Sequence, residues 1–143
     1  MSTPQTALAR RVERLAAKAR TLAVVYFLVL FTATHVPSLP TISMSAFDKV
    51  EHFVGYGLLT LCVLVGWELS VGVLSAKHYF AMWLAGTLYA AFDELTQIPV
   101  GRTCDVNDWA ADVLGIVLGL AAFCFVRGPL YRMLYVGEAL RVE

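Results

Sequence analysis

The chain has 143 residues, 59% of them hydrophobic and 15% charged, with eleven basic residues balanced by eleven acidic ones and a mean hydropathy of +0.69. An average soluble domain is roughly 45–50% apolar and 25% charged, so the composition excludes an ordinary water-soluble domain and implies a membrane protein. With no net charge and an acidic rather than basic polar cluster, nothing points to nucleic-acid binding.

The first segment, residues 1–20, carries Leu8, Val12, Leu15 and Ala19 at i, i+4, i+7 and i+11 among arginines and lysines, the pattern of a basic amphipathic helix lying on the inner leaflet. Four apolar stretches follow, about Thr21–Pro37, His52–Leu69, His78–Phe92 continuing to Ile98, and Trp109–Val126. Each approaches the roughly 17–25 residues that cross a bilayer as helix, and none alternates like a membrane β-strand. The expectation is an all-α membrane protein, a bundle of four transmembrane helices over residues 21–126. Residues 127–143, with Leu130, Met133, Leu134 and Tyr135 after Gly128-Pro129, read as an interfacial cytoplasmic tail. The length of the first span and the His35-Val36-Pro37 after it argue against a cleaved leader.

If four helices span, nine basic residues fall on one side (Arg10, Arg11, Arg14, Lys18, Arg20, Lys77, Arg127, Arg132, Arg141) and only Lys49 and Arg102 on the other. The positive-inside bias then makes both termini cytoplasmic in a multi-pass protein of the cell membrane. Cys62 and Cys124 lie in apolar segments and Cys104 stands alone on a loop, so neither a disulfide framework nor a CxxC metal site is implied.

The outward loops hold the chemistry. In DKVEHFVGY, Asp48, His52 and Tyr56 recur every four residues, with Lys49 within about 100° of Asp48 on a helix. Asp93, Glu94 and Gln97 repeat the spacing at the end of the third span. Counting about 1.5 Å per residue from His78 puts Asp93 about 22 Å up, inside the outer leaflet. Asp105, Asp108 and Asp112 follow at i, i+3 and i+7, and Gly115 and Gly119 extend that face as a small-xxx-small step suited to close helix contact, within the chain or in an oligomer. With Glu51, seven carboxylates then face two fixed cations, Lys49 and Arg102, and something must offset the difference.

Asp48-Lys49 with His52-Phe53 and Tyr56, then Asp93-Glu94 with Gln97, then Arg102 and Asp108 with Gly115 and Gly119, together resemble the VanZ-like family of small membrane proteins. The resemblance covers about residues 22–126, and Pro37 and Pro40 suit the family's first loop. Asp112 departs from it, standing where an asparagine is expected. The resemblance implies a cell-envelope protein linked with tolerance of the glycopeptide teicoplanin and attaches no reaction to it.

Three readings of the cluster stay open. One is a structural polar network, with Asp48 or Asp93 accepting from Arg102, Lys49 reaching Glu94, and His52 bonded to a carboxylate. Another is a metal-dependent enzyme acting on a lipid-linked phosphate intermediate. There Asp93, Glu94, Asp108 and Asp112 would hold a hard divalent cation, and His52, Asp93 and Glu94 are the acid/base candidates. The last is a non-enzymatic binder or transporter-like component recognising a lipid-linked precursor, a glycopeptide or a protein through Asp48, Lys49, His52, Tyr56, Asp93, Glu94, Gln97, Arg102 and Asp108. Outside the cluster, Glu68 is expected to pair with Lys77 or solvent, His78 and Trp83 to anchor at the interface, and His35 to sit at a helix end beside the cluster.

Overall fold

The computed structural model describes residues 4–36 and 45–139; Pro37, Pro40 and Arg141 lie outside them. Among these residues every regular element is helical: α1 (Pro4–Thr34), α2 (Ser45–Val71), α3 (Ala76–Gln97), a 3₁₀ turn (Ile98–Val100) and α4 (Val106–Ala139). Three helices contain segments long and apolar enough to cross a membrane, Thr6–Thr34, Asp48–Val71 and Val106–Arg132. The chain is accordingly an all-helical membrane protein. The third expected span, α3, does not join those three, because Lys77, His78, Asp93, Glu94 and Gln97 crowd polar groups into both its ends.

The bundle is built on α2 and α4. On α4 the buried positions Asp108, Asp112, Ile116, Gly119 and Phe123 recur every three or four residues, and on α2 His52, Tyr56, Leu59, Thr60 and Leu64 do the same. Glycines bring the two stripes together: a Cβ at Gly115 would collide with the Phe53 carbonyl, and one at Gly119 would stand 2.5 Å from the Gly57 carbonyl. This face is therefore filled by α2 of the same chain. α1 packs on α2, while α3 lies mainly against α4. Outward-facing Leu22, Val29, Leu88, Phe92, Leu118 and Phe125 give the bundle an apolar exterior.

Side-chain ties mark the two ends. At one, Arg20 Nη1 donates to Ser70 Oγ (2.6 Å), and Arg127 donates to Glu68 Oε1 (3.2 Å) and to Tyr79 Oη (3.2 Å). At the other, His52, Asp93 and Asp112 converge from α2, α3 and α4, joined by His35 just past the end of α1. α3 thus runs from Tyr79 at the first end to Asp93 at the second, the length of the bundle.

The basic N-terminal segment is continuous with the first apolar segment: no Gly or Pro interrupts Thr6–Thr34, and α1 runs through it. Leu8 and Val12 there line a cleft of about 260 Å³ with Glu68 and Leu130. Gly128-Pro129 does not end α4, which continues past the proline to Ala139 although Pro129 removes one helical hydrogen bond. Glu68 pairs with Arg127, not Lys77, and its other oxygen accepts the Leu74 N–H (3.0 Å), burying the carboxylate under the α2–α3 turn.

Candidate functional site

The end of the bundle where His52, Asp93 and Asp112 meet has a rim and a floor. At the rim, Arg102 Nη2 donates to Asp48 Oδ1 (2.8 Å), and Lys49 Nζ donates to Asp105 Oδ2 (3.0 Å) and Asp108 Oδ1 (2.7 Å). Lys49 does not reach Glu94 as expected, because the start of α4 stands between them and offers two carboxylates first. Asp105 caps α4: its Oδ1 accepts the Asn107 N–H (2.8 Å), and its carbonyl accepts from Asp108 and Trp109 (3.0 and 3.2 Å). The Asn107 N–H, and after it the Lys49 ammonium, hold the Asp105 carboxyl below its ordinary range. These contacts tie the start of α2 to the α3–α4 connection.

The floor lies one helical turn deeper. His52 from α2, Glu94 from α3 and Asp112 from α4 are each at most 2% exposed. His52 Nδ1 stands 2.9 Å from Asp112 Oδ1 and 4.0 Å from Glu94 Oε1, while Glu94 Oε2 accepts the Asp105 N–H (2.9 Å). Asp93, equally buried, accepts from Tyr89 Oη and from Gln97 Nε2, both at 3.3 Å. Among the described residues, Glu94 Oε1, Asp112 Oδ2 and the Tyr56 hydroxyl have no hydrogen-bond partner.

The fold therefore brings together Asp48, Lys49, His52, Tyr56, Asp93, Glu94, Gln97, Arg102, Asp108 and Asp112, and leaves Glu51 exposed outside the group. His35 joins at the edge, its Nε2 3.0 Å from Thr96 Oγ1 and its Nδ1 3.8 Å from Asp93 Oδ1. Tyr89 was not foreseen, although its place four residues before Asp93 on one helix was a usable signal.

Charge is distributed unevenly. Both fixed cations at this end are spent at the rim, whereas Asp93, Glu94 and Asp112 are buried, and among the described residues the one basic group within hydrogen-bond distance of any of them is His52, against Asp112. Buried carboxylates without partners are costly, so the floor is suited to take up a cation or a proton.

Directly against this floor, a groove of about 320 Å³ opens between α1 and α3, lined by Phe27, Leu59, Met82 and Ala85 among other largely apolar side chains. Tyr56 and Tyr89 belong to both: their rings line the groove, and Tyr89 Oη reaches Asp93. At this volume the groove falls at the low end of ordinary ligand pockets, roughly 300–1,000 Å³.

A family model described as VanZ/LLP1 matches residues 4–127. No curated protein and no solved structure matches the chain. The chain belongs to the VanZ/LLP1 family, as its polar motifs indicated.

Proposed function

We propose that this VanZ/LLP1-family chain crosses the cell membrane four times with both termini in the cytoplasm, and that its outward end binds an amphiphile, a lipid-linked envelope precursor. The head group enters the polar chamber and the hydrocarbon chain lies in the groove between α1 and α3. The carrying observation is that Tyr56 and Tyr89 join an apolar groove to a buried polar floor, a shape complementary to a molecule with a tail and a head. The four-span topology is supported by α3, whose 22 residues give about 33 Å of helix and whose two ends take part in the side-chain ties at opposite ends of the bundle.

The rim and the floor have different roles in this reading. The Arg102–Asp48 and Lys49–Asp105/Asp108 pairs are structural ties, and the floor is the binding element. An anionic head group enters such a floor only alongside a cation that offsets the carboxylates. Tolerance of teicoplanin follows as the cellular effect of engaging such a precursor.

The test compares wild type, Ala85→Phe, which fills the groove, and Glu94→Gln, which neutralises the floor, at equal membrane levels in a teicoplanin-susceptible host. Wild type is expected to raise tolerance and both variants to lose the effect. A rise undiminished by either variant contradicts the head-and-tail reading, and no rise with wild type removes the antibiotic link.

A further inference from the structure

We propose that His52, Glu94 and Asp112 form a binding site for a divalent transition metal, Zn²⁺ or Mn²⁺, at the floor of the chamber. One ligand atom from each residue lies within 4.8 Å of the others, and each residue comes from a different helix. Glu94 Oε1, which stands 4.0 Å from His52 Nδ1, and Asp112 Oδ2 are buried and, among the described residues, without a hydrogen-bond partner. Glu94 is also oriented from behind, because the Asp105 N–H holds Oε2 and leaves Oε1 turned toward His52.

The dimensions suit such an ion. Tetrahedral coordination at about 2.1 Å places ligand atoms about 3.4 Å apart, a separation bracketed by the 2.9 and 4.0 Å from His52 Nδ1 to Asp112 and Glu94. The donor set selects the metal class: an imidazole with two carboxylates suits Zn²⁺ or Mn²⁺, whereas Mg²⁺ and Ca²⁺ favour all-oxygen shells. A dication also matches the two carboxylates in charge. The ion takes the place of the proton lying between His52 Nδ1 and Asp112 Oδ1, so binding releases a proton.

Nearby acids are less available. Both Asp93 oxygens accept hydrogen bonds from Tyr89 and Gln97, Asp108 holds Lys49, and Asp48, which forms an alternative group with His52 and Asp108, holds Arg102. The set expected from sequence, Asp93, Glu94, Asp108 and Asp112, thus narrows to its second and fourth members and gains His52. Three protein ligands leave a coordination position open; that a head-group phosphate fills it rests on the amphiphile reading, while the metal site itself does not.

The test uses the full chain in lipid nanodiscs, stripped with chelator and given Zn²⁺ or Mn²⁺ alone, with bound metal measured by elemental analysis and Mn²⁺ by electron paramagnetic resonance. Wild type and Glu51→Gln are expected to hold a single ion per chain, and Glu94→Gln and Asp112→Asn to bind at least about tenfold more weakly. Chelation should lower the thermal midpoint of wild type and leave that of Glu94→Gln unchanged. If Asp112→Asn does not fold, Glu94→Gln decides, since its amide oxygen can still accept the Asp105 N–H. Folded wild type that takes up no ion, or Glu94→Gln binding as tightly as wild type, overturns the proposal. No polyprenyl phosphate is added to the assay, so its outcome is separate from that of the amphiphile reading.

Discussion

Asp105 does two jobs with one carboxylate, capping α4 through Asn107 and holding Lys49 against the rim. Both contacts favour its charged form and lower its pKa from the ordinary 3.8. The stabilisation is therefore complete above the unfolded value and is lost as pH falls through the lowered folded value. In nanodiscs, the thermal midpoint of wild type should fall as the pH is lowered through the acid range, and Asp105→Asn should show a shallower fall; parallel curves would contradict the role given to the carboxylate. Sequence spacing was informative at this scale only within a helix. Asp93 and Gln97 meet because four residues make about one turn, and Asp93 and Glu94 point apart because neighbours are about 100° apart. The partners of Lys49, Glu68 and His52 depend on how helices are set against one another, and no local spacing encodes that register.

Helix positions were legible because each apolar run must satisfy its backbone internally, but helix ends were not. The basic segment before the first span and the Gly128-Pro129 pair both looked like boundaries, yet α1 and α4 continue through them. Gly115 and Gly119 announced a close approach without naming the partner, which is α2 of the same chain. A side chain there must push the two principal helices apart, so Gly115→Ala should cost at least about 1–3 kcal/mol in an unfolding measurement, and Gly115→Leu should abolish folded yield. Gly128→Ala is the control: nothing lies within 4 Å of a Cβ at that position, and stability should be unchanged or slightly raised. Equal losses at the two positions would mean that the α2–α4 contact does not govern the bundle.

At the scale of the molecule, polar groups gather at the ends and apolar groups face outward, and topology decides what each end meets. Cys104 is exposed on the α3–α4 connection, so a membrane-impermeant maleimide should label it in intact cells. A cysteine placed at Ser75, in the α2–α3 turn, should label only after permeabilisation. Labelling of both from the same side would mean that α3 does not cross. The composition announced the membrane and the motif order announced the family, but the pairing of the floor with a lateral groove could not be read in advance. Ala85 and Tyr89 share a face of α3 by their spacing, but Tyr56 joins them only from α2, and Phe27 closes the groove from α1.

The most direct measurement is native mass spectrometry of the protein released from nanodiscs containing matched amounts of a polyprenyl phosphate, the corresponding polyprenol and a short-chain alkyl phosphate. Selective retention of the polyprenyl phosphate, lost in Ala85→Phe and in Glu94→Gln, is the result expected if groove and floor hold one amphiphile. Equal retention of polyprenol and polyprenyl phosphate, or retention of none, would contradict it.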